Sequence, residues 1–205
     1  MKLIYGFGIN DADYVVKINE TVGYVDGKRV RKQTFICPFY RCWIDMLARV
    51  CGEKQLRKNP TYFDCYICED WIYFSNFKAW MESQDWEDKQ LDKDILSKGN
   101  KLYSPDTCVF VNQKINKFIL ENPASRGEFP IGVSFIKRDN KFDSKVQNPL
   151  TGKTEFLGYH KTPEKAHEAW LTRKLELAKL LAAEQNNSRV AEALVYRYEN
   201  YEVVA

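Results

Sequence analysis

Two cysteines three residues apart form the clearest chemical pattern in the chain. Cys65-x-x-Cys68 has the spacing of a zinc knuckle, and Cys37 and Cys42 could complete a four-thiolate site. The sequence has no second Cys-x-x-Cys pair, which would make a zinc site a strong prediction. Bulky aromatic residues surround the pair, so we interpret these cysteines as structural thiols in preference to zinc ligands.

Charge is distributed unevenly, although the whole chain carries a net charge of only +3. From residue 26 to 60, nine basic residues accompany three acidic ones, and from residue 61 to 94, nine acidic residues accompany three lysines. A basic block could contact phosphates, while an acidic block could hold a metal ion or favour solubility. An ordinary mixed surface gives the same pattern, so charge alone does not establish nucleic-acid binding.

The composition predicts a packed protein without membrane spans. Hydrophobic residues make up 44% of the 205 residues, which is enough for a substantial core and excludes general disorder. No run of 18 apolar residues occurs, so we expect no transmembrane helix and no membrane partner. Residues 1–10 lack the basic and apolar regions of a secretory signal, and six cysteines suit a reducing compartment, so we expect a cytoplasmic protein.

Local signals in the first half predict a hairpin followed by helices. Asp26-Gly27 is a favourable two-residue hairpin turn between short strands. Apolar residues at three- and four-residue spacing predict helices at 38–52 and 71–82, and the aromatic residues of the second helix are most simply core. Short strands are predicted at 62–68 and 91–96.

A second module follows a polar stretch with Pro and Gly at residues 121–127, which predicts a linker. Three short strands are predicted at 131–137, 141–147 and 154–159. A helix begins clearly at Thr162-Pro163, because Thr is a good N-cap and Pro fits the first helical position.

Four segments of this second module stand in a distinctive order. They are Gly132-Val133-Ser134-Phe135, Lys141-Phe142, Phe156-Leu157-Gly158-Tyr159 and Thr162-Pro163-Glu164-Lys165-Ala166-His167-Glu168-Ala169-Trp170. Together they resemble the Apetala/ethylene-response-factor type DNA-binding domain, in which Gly-Val, Lys-Trp and Leu-Gly strands precede a helix opening Thr-x-Glu-Glu-Ala. The resemblance implies a three-stranded sheet with one face on the helix and the other in the major groove of double-stranded DNA.

The resemblance also implies which residues contact DNA. By position they are Ser134, Lys137, Arg138, Lys141, Phe142, Lys145 and Gln147. The lysines would bind phosphates and set the salt dependence of binding, and Gln147 could pair with adenine. Ser134 and Gln147 stand where the plant domains place arginines, so we expect weak readout of guanine.

Four segments of the first module carry another resemblance. They are Cys65-x-x-Cys68-x-x-Trp71-x-x-Phe74-x-x-Phe77-x-x-Trp80, Leu91-Asp92-Lys93-Asp94-Ile95, Gly99-Asn100 and Tyr103-Ser104-Pro105-Asp106-Thr107-Cys108. Over residues 38–118 the chain resembles phage proteins of the HNH endonuclease-like type. This implies a ββα-containing module and cleavage of DNA with a divalent metal ion such as Mg²⁺. The pairing of the two modules is familiar from homing endonucleases.

The catalytic set that this resemblance implies is degenerate. The active pattern reads Asp-His where this chain has Asp92-Lys93, and Asn-Leu where it has Thr107-Cys108. Lysine is protonated at neutral pH unless strongly desolvated, so it is a poor general base. Asp92 and Asp94 remain as ligands for a divalent metal ion, together with Asn100. Lys93 could contact a phosphate instead, so we expect cleavage to be weak or lost.

The sequence therefore predicts an α+β protein with an HNH-like ββα-containing module at residues 1–120. A DNA-binding module at residues 126–205 follows, with a three-stranded antiparallel sheet packed on a helix. The predicted function is binding of double-stranded DNA in the cytoplasm of a host cell. Two alternatives remain: an active metal-dependent HNH endonuclease, and a phage-encoded inhibitor that binds a host protein through the acidic residues 85–94. A homodimer through residues 189–205 is less favoured than packing of that segment on its own module.

Overall fold

A computed structural model describes residues 3–121 and 128–201 of the chain. It confirms the α+β class, with a three-stranded antiparallel sheet packed on a long helix. The described residues form two compact units, the first at 3–94 and 99–110 and the second at 95–98, 111–121 and 128–201. The chain thus passes from the first unit to the second mainly at residues 110–111, before the predicted linker at 121–127. Residues 122–127 of that linker lie outside the described residues.

An exposed hairpin precedes the helices of the first unit. Strands β1 (Lys17–Val25) and β2 (Lys28–Ile36) pair antiparallel around the turn Asp26-Gly27. Both turn residues have positive φ, 50° for Asp26 and 72° for Gly27, as a two-residue hairpin turn of this kind requires. The prediction of a hairpin turn at this position is confirmed.

The helices of the first unit are α1 (Pro38–Cys51), α2 (Glu53–Lys58) and α3 (Phe74–Glu82). The helix predicted at 38–52 is confirmed. The helix predicted at 71–82 starts later, because Glu69–Ile72 forms a 3-10 turn before α3. A further 3-10 turn spans Pro60–Tyr62.

Aromatic side chains fill the core of this unit. Trp43, Phe74 and Phe77 are completely buried, and Trp71 is nearly so. The Trp43 indole nitrogen donates a hydrogen bond to the Trp71 carbonyl oxygen at 2.8 Å, so its one polar group is satisfied inside the core. The interpretation of the aromatic stripe as core is therefore confirmed.

Four short strands complete the middle of the chain: β3 (Tyr66–Ile67), β4 (Gln90–Asp92), β5 (Leu102–Tyr103) and β6 (Val109–Val111). β3 pairs with β5 in parallel, and β4 pairs with β6. The predicted strands at 62–68 and 91–96 were too long. The first is limited by the 3-10 turn before it, and the second ends where the backbone N–H of Asp94 turns back to bond the Asp92 carboxylate at 2.8 Å.

The second unit contains three helices and three strands. They are α4 (Gln113–Ile119), β7 (Val133–Ile136), β8 (Lys141–Gln147), β9 (Thr154–His160), α5 (Pro163–Ala183) and α6 (Ser188–Glu199). All three predicted strands are present, in the order β7-β8-β9. The predicted start of α5 is confirmed, because the Thr162 hydroxyl accepts a hydrogen bond from the Lys165 backbone N–H at 3.4 Å. Among the described residues, no helix has both the length and the apolar character needed to cross a membrane.

Helix α5 covers one face of the sheet. Its buried side chains include Ala166, Trp170, Leu177 and Leu181, close to the predicted stripe, while Ala169 is only half-buried. An ion pair also connects the helix to the sheet, because Arg173 donates to the Glu155 carboxylate of β9 at 2.7 and 3.1 Å. Hydrogen bonds from Arg173 and Asn148 lower the pKa of Glu155 to about 2, so this pair persists into acid.

Close packing at Gly132 constrains the sheet at the start of β7. Gly132 has φ of +83°, and a Cβ atom added there would lie only 2.1 Å from Cδ1 of the Trp170 ring. Real Cβ contacts are never this short, so Trp170 occupies the space that a side chain would need. Gly132 is thus required both for its backbone conformation and for contact between sheet and helix.

We predict that Gly132→Ala destabilises the protein by about 2–4 kcal/mol, through overpacking against Trp170 and a strained backbone. Gly152 is a matched control, since its φ is +69° but a Cβ there would meet nothing within 4 Å. Gly152→Ala should cost only about 1–2 kcal/mol, the penalty of the left-handed conformation. Urea denaturation of both variants measures the difference, and equal losses would show that the Trp170 contact is unimportant.

A buried lysine lies among the aromatic residues of the second unit. The Lys174 ammonium donates to the Phe118 carbonyl oxygen at 2.7 Å and lies 3.6 Å from the centroid of the Phe118 ring. The rings of Trp170 and Tyr198 are within 5.7 and 5.5 Å. Desolvation by these surroundings lowers the pKa of Lys174 to about 7.

This lysine predicts a pH dependence of stability. Between pH 7 and the ordinary lysine value of 10.5, the unfolded chain holds a proton that the folded chain has lost, so stability rises with pH in that window. Below pH 7 both states are charged and the dependence disappears. Lys174→Met should flatten this rise, which reaches at most about 1.4 kcal/mol per pH unit.

The control is Lys179→Met on the same helix, where the lysine side chain is 56% exposed and pairs with Glu199. Urea denaturation from pH 6 to 10 should give a flattened profile for Lys174→Met and an unchanged one for Lys179→Met. A wild-type profile that falls between pH 7 and 10 in parallel with Lys174→Met would contradict the prediction.

Candidate nucleic-acid interface

Lys93, which the resemblance to HNH proteins places at the position of the general base, is buried next to the end of β4. Only 5% of its surface is exposed, and its ammonium donates to the Asp94 carboxylate at 2.8 Å and to the Asn100 carbonyl oxygen at 2.5 Å. It also lies 5.9 Å from the centroid of the Tyr103 ring. The ammonium therefore holds together the two ends of the 93–103 loop instead of pointing into solvent.

Asn100 and Thr107 have similar structural roles. The Asn100 amide donates to the carbonyl oxygens of Lys93 at 3.0 Å and Leu102 at 2.7 Å, and accepts from the Leu102 N–H at 3.2 Å. The Thr107 hydroxyl donates to the same Leu102 carbonyl at 2.8 Å. Both side chains are thus engaged with backbone groups of the loop that contains them.

The predicted catalytic residues therefore lie in one loop, but their hydrogen bonds stabilise that loop. In this arrangement Lys93 cannot reach a phosphate unless its bonds to Asp94 and Asn100 break first. Within residues 3–121 and 128–201, no three His, Cys, Asp or Glu side chains are placed to hold a metal ion together. Magnesium at a nucleic acid needs only one or two protein carboxylates, so Asp92 and Asp94 stay as the ligands of the cleavage hypothesis.

The Cys65-x-x-Cys68 pair has the spacing of a zinc knuckle, although the sequence favours structural thiols. Cys65 and Cys68 flank β3, and in the described part of the chain they form no group of three or more ligands with Cys37 and Cys42. Burial raises the pKa of the Cys65 and Cys68 thiols and raises that of Cys42 to about 12. These three thiols are therefore protonated at neutral pH.

The exposed face of the three-stranded sheet presents most of the predicted DNA contacts. Along β8, Lys141, Asp143, Lys145 and Gln147 alternate onto one face, and Ser134 of β7 joins them opposite Asp143. All of these except Asp143 are exposed. Lys137 and Arg138 are exposed in the turn that connects β7 to β8. Six of the seven predicted residues thus belong to one exposed surface, which we call the sheet face.

Phe142 is the exception, because it lies on the other face of the sheet. It is adjacent to Lys141 in the strand, so its side chain points to the opposite face. There its ring packs against Phe129 and Phe135, with ring centroids 5.1 and 5.0 Å away. Phe142 therefore belongs to the packed side of the sheet.

Carboxylates partly neutralise two of the basic residues. Lys145, half exposed, donates to the buried Asp143 carboxylate at 2.5 Å. Arg138 binds Asp139 through two hydrogen bonds at 2.8 and 3.1 Å, which lower the pKa of that carboxyl group. Lys141 has no such partner within 4 Å in the described residues, so it contributes the least compensated positive charge of β8.

Gln147 is engaged within its own hairpin. Its amide nitrogen donates to the Gly152 carbonyl oxygen at 2.8 Å, and its amide oxygen accepts from the Thr154 hydroxyl at 2.8 Å. Bidentate pairing with adenine uses both groups in one plane. Gln147 therefore stabilises the β8–β9 turn, and its side chain lies on the sheet face.

Two aromatic residues of the sheet face were missed from the sequence. Phe156 and Tyr159 of β9 are 53% and 54% exposed, and their ring centroids lie 5.0 Å apart. Tyr159 stands opposite Asp143 and Phe156 opposite Lys145, so both rings share the side of the two β8 residues. An irregularity at Leu157 brings this about, because it reverses the alternation of β9.

Comparison with known proteins identifies no relative of this chain. The chain matches no protein-family model, no curated protein and no solved structure.

We predict that Lys93→Ala destabilises the protein by about 2–3 kcal/mol, because it removes a buried ammonium group that donates to the Asp94 carboxylate and to the Asn100 carbonyl oxygen. Arg57→Ala is the control in the same unit: that side chain is 83% exposed and pairs with Glu53 at 3.7 Å, so its loss should cost below about 0.5 kcal/mol. Urea denaturation measures both.

A functional readout separates this structural role from catalysis. Wild type and Lys93→Ala are incubated with supercoiled plasmid and Mg²⁺ at a temperature where both remain folded. Metal-dependent nicking by wild type that the substitution abolishes would show that Lys93 acts in chemistry and would contradict a purely structural role.

Proposed function

We propose that this protein binds double-stranded DNA through the exposed sheet face of its second unit. The observation that supports this is the placement of Ser134, Lys141, Lys145 and Gln147 on one open face while α5 covers the other. A twisted sheet with one free face is a known way of reading the major groove.

The chemistry of the sheet face suits a duplex. Lys137 and Lys141 offer ammonium groups to phosphates, and this interaction is independent of sequence and sensitive to salt. Phe156 and Tyr159 add apolar surface that can contact sugars or thymine methyl groups. Arginines are scarce on this face, so we propose general affinity for duplex DNA with modest discrimination between base sequences.

Cleavage is not part of the proposal. A general base must reach the proton that it removes, and Lys93 is buried in two hydrogen bonds within its loop. Asn100 and Thr107 are likewise engaged with backbone groups. These bonds give the loop a role in folding, which favours a DNA-binding protein over a nuclease.

We predict that the double variant Lys141→Gln/Lys145→Gln binds a random-sequence duplex about tenfold more weakly than wild type at low salt, with a shallower dependence of affinity on salt. Because Lys145 is already paired with Asp143, Lys141→Gln alone should account for most of the loss. Fluorescence anisotropy with a labelled duplex of three helical turns measures both quantities.

The control removes two equal charges from α5, as Lys165→Gln/Lys179→Gln, where both lysines are exposed and away from the sheet face. This variant should bind like wild type. Equal losses in the two double variants would show that net charge, and not the sheet face, determines affinity. Absence of salt-dependent binding by wild type would overturn the proposal and favour a protein partner.

A further inference from the structure

The β1–β2 hairpin has no layer of structure on either face. All residues of the two strands are exposed except Gly23 and Ile36, which are half-buried. Large apolar side chains are among them, with Tyr24 66% and Val25 61% exposed next to the turn. An isolated two-stranded hairpin is at best marginally stable in water, and exposed apolar side chains on it indicate a surface that meets a partner.

The charges of the hairpin indicate what that partner is. Strand β2 carries four basic residues within five positions: Lys28, Arg29, Arg31 and Lys32. Across residues 3–121 and 128–201, no carboxylate lies within 4 Å of any of these four, in contrast to Arg138 and Lys145 of the sheet face. Glu20 stands opposite Lys32 in the register, while Lys28, Arg29 and Arg31 have no acidic residue opposite them on β1. The hairpin thus presents an excess of positive charge, which an anionic partner complements.

The register distributes these charges over both faces of the hairpin. Arg29 and Arg31 stand opposite Tyr24 and Thr21 on one face, whereas Lys28 and Lys32 lie on the other. A flat anionic surface would contact only one of these faces. A groove whose two walls are rows of phosphates can pair with both.

A second copy of this chain fits less well. Stacking two such hairpins would bring together faces that each carry an excess of basic residues, with Glu20 as the acidic residue opposite Lys32. Charge complementarity thus favours a polyanion over a homodimer.

The dimensions of the hairpin suit a DNA groove. Strands of nine residues extend for about 30 Å, and the major groove, about 12 Å wide, admits a two-stranded ribbon. The two-residue turn at Asp26-Gly27 keeps the tip no wider than the ribbon. Tyr24 and Val25 then provide apolar contacts for sugars or base edges.

We propose that the β1–β2 hairpin is a basic arm that enters a groove of double-stranded DNA and binds phosphates with Lys28, Arg29, Arg31 and Lys32. This inference rests on the proposed function, since it assumes that duplex DNA is the partner. It adds a second DNA-binding element, which belongs to the first unit and shares no residue with the sheet face.

The test compares two triple variants with the same loss of charge. Arg29→Gln/Arg31→Gln/Lys32→Gln alters the arm, and Lys54→Gln/Arg57→Gln/Lys58→Gln alters exposed positions of α2. With the labelled random-sequence duplex, the arm variant should lose at least about tenfold in affinity at low salt. The slope of log K against log salt should fall by about 2–3, the contribution of three phosphate contacts. The α2 variant should match wild type.

Trypsin cleavage provides a second readout on the unaltered protein. The arm offers exposed cleavage sites at Lys28, Arg29, Arg31 and Lys32, and saturating duplex should slow cleavage there but not at Lys54 and Lys58. Thermal denaturation should be unchanged in the arm variant, because none of its three altered residues contributes to the buried core.

The outcomes separate this inference from the proposed function. If the arm variant binds like the α2 variant while the sheet-face variant is impaired, the arm is overturned and the proposed function stands. If the arm variant alone is impaired, the arm stands and the sheet-face assignment fails. If wild type binds no duplex, both fall. An arm variant with altered sedimentation but normal DNA affinity would overturn the arm in favour of self-association.

Discussion

Coverage of one sheet face by helix α5 is the constraint on which the second unit depends. Three short strands cannot form a core alone, so one face must be buried against another element, and α5 supplies it with small and aromatic side chains such as Ala166 and Trp170. The contact is so close that Gly132 has no room for a side chain. With one face committed to α5, the polar residues of the other must face outward, and the sheet face follows from the packing.

Local signals allowed much of the fold to be predicted from the sequence. The Asp26-Gly27 turn and the Thr162-Pro163 helix start are each decided by residues next to one another, and both are present. Non-local contacts decide what was missed. The buried Lys93 donates to the Asn100 carbonyl oxygen seven residues away. A lysine between two aspartates in the sequence does not indicate that its side chain is buried.

The sheet face shows where strand alternation helps and where it fails. Lys141 and Phe142 are neighbours in a strand, so they could not both contact DNA, and alternation alone would have removed Phe142 from the prediction. The opposite holds for Phe156. It is two residues from Gly158 and would share its face in a regular strand, but the irregularity at Leu157 turns it to the open side. A leucine at position 157 does not indicate an irregularity in the strand, so the pairing of Phe156 with Tyr159 could be found only in the structure.

The two exposed β surfaces differ in how their charge is compensated, and this difference suggests a division of labour. On the sheet face and its turn, Asp143 and Asp139 form ion pairs with Lys145 and Arg138, which lowers the net attraction of these two cations for phosphates. On the hairpin, no carboxylate lies within 4 Å of the four basic residues of β2 among the described residues, although Glu20 stands opposite Lys32 in the register, so these residues keep most of their attraction for phosphates. Under the proposed function, paired groups suit contact with a regular surface, and unpaired groups suit long-range capture that weakens steeply with salt. Since the net charge of the whole chain is only +3, that function depends on where the uncompensated charge is placed and not on its total.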